Sequence, residues 1–316
     1  MKKVLVTGSC GFIFSNFMRK VHEDDVNYQF VSVDKLIASY NHRNIYRHPG
    51  HSFYVGDVAD PMFMDNLFRI ERPDYVIHGA AESFVDASIR DALPFVHSNV
   101  LGTQVMVDMS LRYNVERFIY VSTDEVYGQL QKGEESWTEE SPINPRNPYS
   151  ASKAAGELIV RAAHQTHGLQ YNITRCCNNY GPRQPPRNLV PKVITCTLRD
   201  QPIPIHGNGS QFREWIHADD HGSAILCVLQ NAPANEAYNV GTGVEYNNLE
   251  ISKKICAFLG KEPKFEFVKD RPGHDFRYSV DFTKLKNLGW SPQHTFDSGM
   301  EASVDWYKEN HWYFDQ

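Results

Sequence analysis

The chain has 316 residues, a formal net charge of −6 and no strongly biased tract, which suits one large α/β domain with a smaller lobe. The absence of a basic stripe argues against nucleic acid as a partner, and the absence of an apolar run of about 20 residues argues against a membrane. The N-terminus lacks the apolar stretch of a signal peptide and the six cysteines lack metal-ligand spacing, so we expect a cytoplasmic protein that holds no metal.

Strands and helices alternate through the first half of the chain. Short apolar runs predict strands at residues 4–7, 30–34, 51–58, 75–81 and 117–122. Between them, the pattern predicts a helix over residues 12–23 and another that ends near residue 72. Apolar strands alternating with helices predict an α/β fold with a doubly wound parallel sheet of the Rossmann type.

A glycine turn joins the first predicted strand to the first helix. Gly8 permits a tight turn, and Gly11 lets the backbone approach a pyrophosphate at the helix N-terminus. The second strand ends in Asp34, whose carboxylate suits the ribose hydroxyls of NAD and repels the phosphate of NADP, so NAD is the predicted cofactor. Phe14 stands where such turns have a third glycine, and its ring must either fill a gap or push the helix outward.

Tyr149 and Lys153 lie four residues apart, just after Asn147 and Pro148, which indicate a helix start. At that spacing both side chains share one face of a helix. A lysine ammonium favours a neighbouring phenolate, so we expect Lys153 to lower the pKa of Tyr149. Such a tyrosine can take the proton of a substrate hydroxyl while the hydride leaves for NAD⁺. Taken alone, the same spacing would describe a surface pair.

Three polar residues, Thr123, Asp124 and Glu125, follow the fifth predicted strand. Ligands of such sheets bind beyond the carboxyl ends of the strands, so these residues should face the substrate. Thr123 can hydrogen-bond a reacting hydroxyl. Adjacent carboxyls in a partly dry cleft push their pKa values apart, which lets one act as acid and the other as base. The alternative is a polar turn with solvated carboxylates.

The character of the chain changes after Tyr180, where prolines cluster and the alternation of strands and helices weakens. We interpret residues 1–180 as the NAD-binding Rossmann domain. Residues 181–316 are interpreted mainly as a smaller C-terminal substrate-binding lobe, from which some segments, such as residues 237–240, return to the main sheet.

Together these residues resemble the extended short-chain dehydrogenase/reductases, and within them the nucleotide-sugar 4,6-dehydratases, of which the dTDP-glucose 4,6-dehydratases are the most similar group. The resemblance runs nearly from end to end. Its most specific part is Thr-Asp-Glu, because sugar epimerases of this fold usually carry small or hydroxyl residues there. The matching stretches are HGAAES at 78–83, TDEVYG at 123–128, YSASK at 149–153, CNNYGP at 177–182, REWIH at 213–217 and DRPGHD at 270–275.

The resemblance implies a lyase (hydro-lyase) of deoxysugar biosynthesis that forms a 4-keto-6-deoxy sugar nucleotide, with dTDP-glucose as the favoured substrate. Tyr149, with Lys153 and Thr123, takes the C4 hydroxyl proton while the C4 hydride passes to NAD⁺. Glu125 then removes the C5 proton, and Asp124 protonates the departing C6 hydroxyl. The hydride finally returns to C6, so the reaction has no net redox change and NAD stays bound.

Contacts to cofactor and substrate are implied position by position. Beyond the turn glycines and the Tyr149–Lys153 pair, the implied NAD contacts are Phe12, Ile13, Asp34, Lys35, Asp57, Val58, Ala80, Ala81, Ser98 and Asn179. The implied substrate contacts are Ser83, Thr123, Asn178, Asn188, Leu189, His206, Arg213, Asn248, Arg271 and His274. Two arginines suit a diphosphate, although each could be a structural ion pair. A helical stretch at residues 99–113 is expected to pair across a homodimer, although an apolar helix face would serve a core equally well.

Four positions depart from the pattern of the group. Besides Phe14, they are Phe84, where the group has His, and Arg187 and Asn188, where it usually has Glu and Lys. The catalytic residues are retained while contacts toward sugar and phosphate differ, so the reaction type is better determined than the substrate. The alternatives are a dehydratase for another nucleotide sugar, such as a UDP-linked 2-acetamido sugar, a 4-epimerase, and a protein that binds NAD and a sugar nucleotide without turnover.

Overall fold

The computed structural model describes residues 1–24, 26–37, 42–270 and 275–314. The strands are β1 (Lys2–Thr7), β2 (Tyr28–Asp34), β3 (Ser52–Val55), β4 (Tyr75–His78), β5 (Arg117–Thr123), β6 (Tyr171–Cys176), β7 (Asn178–Tyr180), β8 (Ile203–His206), β9 (Phe212–His217), β10 (Glu236–Val240), β11 (Glu245–Asn247) and β12 (Phe265–Val268). The helices are α1 (Phe12–Glu23), α2 (Pro61–Glu71), α3 (Val85–Arg90), α4 (Leu93–Phe95), α5 (Gly102–Arg112), α6 (Pro148–His167), α7 (Leu189–Leu198), α8 (Ala218–Asn231), α9 (Asn248–Phe258), α10 (Thr283–Lys286) and α11 (Phe296–Glu309). A π-helical segment, Val96–Leu101, joins α4 to α5, and single 3₁₀ turns cover His42–Asn44, Asp124–Tyr127 and His311–Phe314.

A parallel sheet forms the centre of the fold. Within the described residues its seven strands pair in the order β10-β6-β5-β4-β1-β2-β3, and every pair is parallel. The order reverses between β1 and β4, and ligands of such sheets bind beyond the carboxyl ends of the strands at this reversal. The predicted doubly wound α/β fold is confirmed, and it places the site after β1, β4 and β5.

Helices cover both faces of this sheet. Alternate side chains of β1 enter different cores: Val4 and Val6 belong to the core shared with α1 and α8, and Leu5 belongs to the core shared with α2, α5 and α6. Since successive strand residues point to opposite faces, a strand covered on both sides must be continuously apolar. A further core lies around Val193 of α7 and Ile255 of α9. None of the helices in the described ranges is long and apolar enough to cross a membrane.

Helix α6 begins where the sequence predicts. The Asn147 side chain accepts the N–H of Ser150 at 2.9 Å, and the Ser150 hydroxyl accepts the N–H of Asn147 at 3.2 Å. Pro148 takes the first helical position, where no N–H donor is needed. This reciprocal cap fixes the backbone turn that carries Tyr149.

Some element bounds differ from those predicted. The strand predicted over residues 75–81 ends at His78, because the next amides, of Gly79 and Ala80, donate to Thr7 Oγ1 at 3.1 and 3.0 Å instead of continuing a ladder. The strand predicted over 51–58 spans only Ser52–Val55. The helix predicted over 99–113 corresponds to the end of the π-helical segment and to α5. Strand β10 pairs with β6 in the main sheet, and the division of the chain at residue 180 stays a prediction.

Candidate active site

A cleft of about 710 Å³ lies at the carboxyl ends of the central strands. The predicted residues in its wall are Gly8, Gly11, Phe12, Ile13, Asp34, Lys35, Val58, Ala80, Ala81, Ser83, Ser98, Thr123, Asp124, Glu125, Tyr149, Lys153, Asn178, Asn179, Asn188, Leu189, His206, Arg213 and Asn248. Asp57 is outside the wall, between the lining residues Gly56 and Val58. Arg271 and His274 lie outside the described residues.

The turn after β1 has the geometry of a pyrophosphate site. Gly8 has a φ of +75°, and a Cβ there would lie 2.8 Å from Ala80 Cα, so glycine is needed for β1 and the segment after β4 to approach this closely. Gly11 precedes α1 in an extended conformation and has no side chain to cap the helix. The first amides of α1 can therefore bind an anion.

Asp34 and Lys35 form one side of the cleft at the end of β2. The Asp34 carboxylate accepts the N–H groups of Cys10 at 2.9 Å and Leu36 at 2.8 Å. Burial raises the pKa of Asp34, although these hydrogen bonds and Lys35 oppose the rise. Lys35 Nζ donates to Ser98 Oγ at 2.6 Å, which ties the π-helical segment to the cofactor side of the cleft.

Asp57 shapes the turn that precedes α2. Its carboxylate accepts the N–H of Ala59 at 2.9 Å and lies 3.3 Å from His97 Nε2 and 3.9 Å from Lys35 Nζ. These contacts give the carboxylate a structural role in the turn. Its contact with the cofactor stays a prediction.

Phe14 fills a gap and does not displace α1. The side chain is buried, and its ring occupies the space that a Cβ on Gly79 would need. The ring also makes an edge contact with Phe17, with centroids 5.6 Å apart. The large side chain of Phe14 on α1 therefore packs where Gly79, after β4, has no side chain. Helix and sheet pack closely although the third glycine of the turn is absent.

Lys153 is enclosed beneath the cleft. Its Nζ lies 4.3 Å from the centroid of the Tyr120 ring, and the residue is only 3% exposed. Burial lowers the pKa of Lys153 to about 7, although Glu157 raises it. Glu157 is itself committed to Arg175, whose Nη2 lies 2.7 Å from Oε2, so it supports the ammonium only from a distance.

The expectation that Lys153 lowers the pKa of Tyr149 is wrong for the protein alone. Burial raises the pKa of Tyr149 above its usual range, the Glu125 carboxylate raises it further, and a hydrogen bond with Thr123 lowers it without cancelling the rise. The physical reason is that desolvation disfavours the phenolate and the ammonium alike. Without a further positive charge in the cleft, Tyr149 keeps its proton.

The two carboxyls after β5 lie in different environments. Asp124 is 2% exposed, its Oδ1 accepts the Thr123 hydroxyl at 3.2 Å, and its Oδ2 has no hydrogen-bond partner among the described residues. Burial raises the pKa of Asp124 well above its usual range, and the Glu125 charge raises it further. Glu125 accepts a hydrogen bond from Asn147 Nδ2 at 3.2 Å. Asp124 is therefore the carboxyl whose surroundings favour the protonated form.

Asn147 is a site residue that sequence reasoning treated only as a helix start. Its Oδ1 caps α6 while its Nδ2 donates to Glu125, so one side chain positions both the helix that carries Tyr149 and the Glu125 carboxylate. The cap was visible in the sequence, but the proximity of residue 125 was not. Further lining residues that the sequence analysis did not single out are Lys192, His221 and Tyr278. Trp215, which also lines the cleft, lies in the matching stretch at 213–217 but was given no role there.

Arg213 of β9 is partly committed to the protein. Its guanidinium donates to the carbonyls of Phe212 at 2.7 Å and Asp275 at 2.9 Å and lies 4.3 Å from the centroid of the Tyr278 ring. Arginine has five N–H donors, so these bonds leave capacity for a ligand. Both the structural and the ligand-binding interpretations of Arg213 fit this geometry.

Helix α7 presents its N-terminus to the cleft. Asn188 is the cap residue, but in the described part of the chain its side chain makes no capping bond and its buried Oδ1 has no partner. Leu189 and Lys192, in the first turn, line the cleft. Helix amides and a lysine together favour an anion at this place.

The remaining predicted residues lie on the walls. Asn179 Oδ1 lies 3.0 Å from His221 Nδ1 at the end of the main sheet. His206 ends β8, with Nδ1 3.2 Å from the Lys269 carbonyl, and Asn248 begins α9. The departures Phe84 and Arg187, both in the wall, contact each other.

Three residues that could together bind a metal ion lie outside the cleft wall. One ligand atom from each of His217, Asp219 and His294 lies within 4.8 Å of the others. Arg183 and Lys20 already act on the Asp219 carboxylate, and none of the three residues lines the cleft. We assign this group no part in the chemistry.

Comparison with known proteins identifies the family. The chain matches the NAD dependent epimerase/dehydratase family over residues 4–241. It is 46% identical to the low-salt glycan biosynthesis protein Agl12 of Haloferax volcanii, over 96% of this chain and 98% of that protein. It is 42% identical to the dTDP-glucose 4,6-dehydratase of Streptomyces niveus, over 98% of this chain and 93% of that protein.

Solved structures give the same result. The crystal structure of DesIV, a dTDP-glucose 4,6-dehydratase from Streptomyces venezuelae with NAD and TYD bound, matches with a TM-score of 0.95 and 40% identity over 99% of both chains. A UDP-glucose 4-epimerase from Thermotoga maritima with UDP-glucose matches with a TM-score of 0.92 and 30% identity, over 98% of this chain and 99% of that one. These findings confirm the predicted resemblance and the predicted cofactor, NAD. The chain therefore belongs to the NAD dependent epimerase/dehydratase family.

Proposed function

We propose that the protein is a nucleotide-hexose 4,6-dehydratase that acts on dTDP-glucose and forms a 4-keto-6-deoxy sugar nucleotide. The observation that carries the proposal is that one cleft brings together the buried carboxyl of Asp124, whose pKa burial raises, and the side chains of Glu125 and Tyr149. Hydride exchange at C4 alone needs one proton acceptor, whereas elimination of water across C5 and C6 also needs an acid and a base. The relatives named as dTDP-glucose 4,6-dehydratases support the same reaction.

The nucleotide turn fits NAD. The tight turn at Gly8, whose φ is +75°, and the uncapped start of α1 suit a pyrophosphate, and Asp34 suits a ribose. When bound, NAD⁺ supplies a hydride acceptor and a positive charge in the cleft. That charge favours the Tyr149 phenolate, which the protein alone disfavours.

The protein's own residues divide the proton transfers. Tyr149, hydrogen-bonded with Thr123, takes the proton of the C4 hydroxyl as the C4–H bond is oxidised. Glu125 takes the C5 proton, and Asp124 gives its proton to the C6 hydroxyl, which leaves as water. Return of the hydride to C6 would restore the oxidised cofactor, so the whole reaction would remove one molecule of water, in the elimination, without net oxidation.

We propose that the substrate binds along the part of the cleft wall formed by α7, β8 and β9. The N-terminus of α7, with Asn188 and Leu189, together with Arg213, suits a diphosphate, and His206 offers a flat ring for a nucleobase. The other residues proposed to bind the nucleotide sugar are Ser83, Thr123, Asn178, Asn248, Arg271 and His274.

A dehydratase for another nucleotide sugar, such as a UDP-linked 2-acetamido sugar, is the second candidate. The observation that favours it is the Phe84–Arg187 contact in the cleft wall, made by two residues that depart from the pattern of the group. Asp124 and Glu125 disfavour a 4-epimerase. The assembly of the acid, base and tyrosine in one cleft disfavours a protein that binds without turnover.

The test is incubation with dTDP-, UDP-, CDP- and GDP-linked hexoses, followed by product mass and NADH absorbance. We expect dTDP-glucose to lose one water, with a transient NADH signal. Loss of water only from a UDP-linked sugar would select the second candidate. A product of unchanged mass would indicate an epimerase, and tight binding without any product would indicate a binding protein.

We also propose a homodimer. Apolar side chains are exposed on α3, α4, the π-helical segment and α6, namely Ile89, Leu93, Val96, Leu101 and Leu158. Pairing this surface with its copy would remove apolar area from water. We expect sedimentation to show a dimer that Leu93→Glu dissociates, whereas Met62→Glu, at an exposed position on α2, leaves it intact. A monomeric wild-type protein would contradict the proposal.

A further inference from the structure

Phe84 and Arg187 belong to two separate segments of the cleft wall and approach each other there. Phe84 stands at the N-cap position of α3 in the segment that follows β4, whereas Arg187 lies in the loop between β7 and α7. The guanidinium carbon of Arg187 lies 3.0 Å from the centroid of the Phe84 ring, and both side chains line the cleft. The contact joins the wall that follows the main sheet to the segment that leads into α7.

The Arg187 guanidinium interacts with the Glu82 carboxylate as well as with the Phe84 ring. Burial lowers the pKa of Arg187, and the Glu82 carboxylate opposes this. Glu82 lies 3.7 Å from Lys35 Nζ, so it is shared between two cations. An arginine lying over an aromatic face directs its five N–H donors within its own plane, where more than one acceptor can be bound.

The residues that follow Arg187 favour an anion. Asn188 leaves the start of α7 without a side-chain cap in the portion of the chain described. Lys192, one turn further on, lines the same cleft. Helix amides, an ammonium and an oriented guanidinium therefore border one part of the cleft, and all three attract a phosphate.

We propose that Phe84 orients Arg187 to bind the diphosphate of the nucleotide sugar, so that the two residues act as one recognition unit. This inference rests on the proposed function for the class of ligand, and it adds a specific contact. Arg187 is then a substrate-binding residue, and Phe84 is a positioning residue that acts through it. Neither takes part in proton or hydride transfer, so their replacement should change affinity and KM and leave kcat nearly unchanged.

The experiment compares nucleotides that differ only in phosphate number. Calorimetry with the NAD-loaded protein gives affinities for dTDP, dTMP and thymidine, and for UDP, UMP and uridine, and the base that the wild type binds more tightly is analysed. Arg187→Gln should weaken the diphosphate by about 10- to 100-fold, as for loss of a charged hydrogen bond, and the nucleoside by less than about twofold. KM for the matching nucleotide sugar should rise in parallel.

Phe84 is tested through its partner. Phe84→Leu and Arg187→Lys both remove the stacked orientation and keep a cation, so each should weaken the diphosphate by about threefold to tenfold. The double variant Phe84→Leu/Arg187→Gln should bind as Arg187→Gln does, because Phe84 acts only through Arg187. Lys132→Gln, which removes an exposed cation outside the cleft wall, is the matched control and should bind as the wild type does.

Three results would overturn the inference. They are an unchanged diphosphate affinity in Arg187→Gln, an equal loss for the nucleoside, and additive losses in the double variant. Thermal unfolding of each variant shows whether it remains folded at the temperature of the assay. Failure of the proposed function is distinct, since it would appear as a wild-type protein that binds the diphosphate but releases no dehydrated sugar.

Discussion

The floor of the cleft and its sugar-facing wall are built differently. Floor residues stand at the end of β5, in the 3₁₀ turn after it and at the start of α6, and most of them are buried. Wall residues stand on loops that precede α3 and α7, where they are partly exposed. We use "catalytic floor" for Thr123, Asp124, Glu125, Tyr149 and Lys153, and "sugar wall" for Phe84, Arg187 and Asn188.

Under the proposed function, this difference places the residues of the reaction and the residues of substrate choice in separate parts of the fold. The residues of the catalytic floor stand at the ends of strands and helices, and the sheet topology fixes where those ends lie. We therefore expect a substitution there to change a chemical step. Positions on the sugar wall follow from loops, which tolerate replacement and adjust ligand choice. All four departures from the family pattern lie away from the floor, which agrees with this division.

Tyr149→Phe would test the floor most severely. Without the phenol hydroxyl, no other floor residue is assigned to take the C4 proton, so turnover should fall by about 1,000-fold or more and no NADH signal should form. Binding of dTDP should change by less than about twofold. Tyr113→Phe, outside the cleft wall, is the control for loss of a hydroxyl, and full turnover by Tyr149→Phe would refute the assignment.

Glu125→Gln should separate the two halves of the reaction. C4 oxidation does not need Glu125, so NADH absorbance should rise and then stall, while release of product falls by about 100-fold or more. Because the Glu125 charge raises the pKa of Tyr149, its removal should extend NADH formation to lower pH. Stopped-flow absorbance across pH checks both points, with Glu140→Gln as an exposed control. Simultaneous loss of NADH and product would place Glu125 in the first step instead.

The packing of Phe14 against Gly79 tests how firmly α1 is held against the segment that follows β4. Phe14→Ala should lower the free energy of unfolding by about 3–5 kcal/mol through the cavity it leaves, and Gly79→Ala by about 1–3 kcal/mol through overpacking. In the double variant the added methyl group enters the cavity, so the total should be less than the sum. Urea unfolding measures each value, and Gly50→Ala, where an added Cβ would meet only His48 Nδ1 at 3.9 Å, is the control. Simple additivity would show that the two sites are independent.

His78 provides a smaller, pH-dependent test beneath the floor. Thr7 Oγ1 accepts the amides of Gly79 and Ala80 and so donates to His78 Nδ1 at 2.8 Å, which leaves Nε2–H to donate to Thr103 at 3.2 Å. This network fits only neutral histidine, and burial followed by Lys153 repulsion lowers the pKa of His78 to about 3.

The sign of the effect follows from the unfolded chain, whose histidine has a pKa of about 6.5. As the pH falls below that value, the unfolded state binds a proton that the native state does not bind. The free energy of unfolding therefore decreases between about pH 6.5 and pH 3. At pH 5 this amounts to about 2 kcal/mol. Urea unfolding gives the free energy of unfolding at pH 7 and at pH 5. The loss of this free energy from pH 7 to pH 5 should be smaller by that amount in His78→Gln than in the wild type. His167→Gln, at an exposed position, should show the wild-type loss.

The sequence predicted the catalytic floor better than the sugar wall for a physical reason. Helix α1 spans Phe12–Glu23 as predicted, and β1 and β2 end at Thr7 and Asp34, because periodicity and turn residues are local signals. The same local signals located Tyr149 and the Thr-Asp-Glu tripeptide, and parallel topology brings them together.

What the sequence could not predict depends on contacts between distant residues. The fit of Phe14 over Gly79 and the contact of Phe84 with Arg187 join positions far apart in the chain. The pKa of Tyr149 was predicted in the wrong direction, because the spacing to Lys153 is local while the burial of both groups is not. Arg271 and His274 remain predictions from the sequence.

The most direct test of the account is the fate of the C4 hydrogen. The protein is incubated in ordinary water with dTDP-glucose carrying deuterium at C4, and the product is analysed by mass spectrometry and NMR. The proposed 4,6-dehydration predicts a product that has lost one water and carries the deuterium at C6. A product that has lost its deuterium to solvent, or that keeps the mass of the substrate, would contradict it.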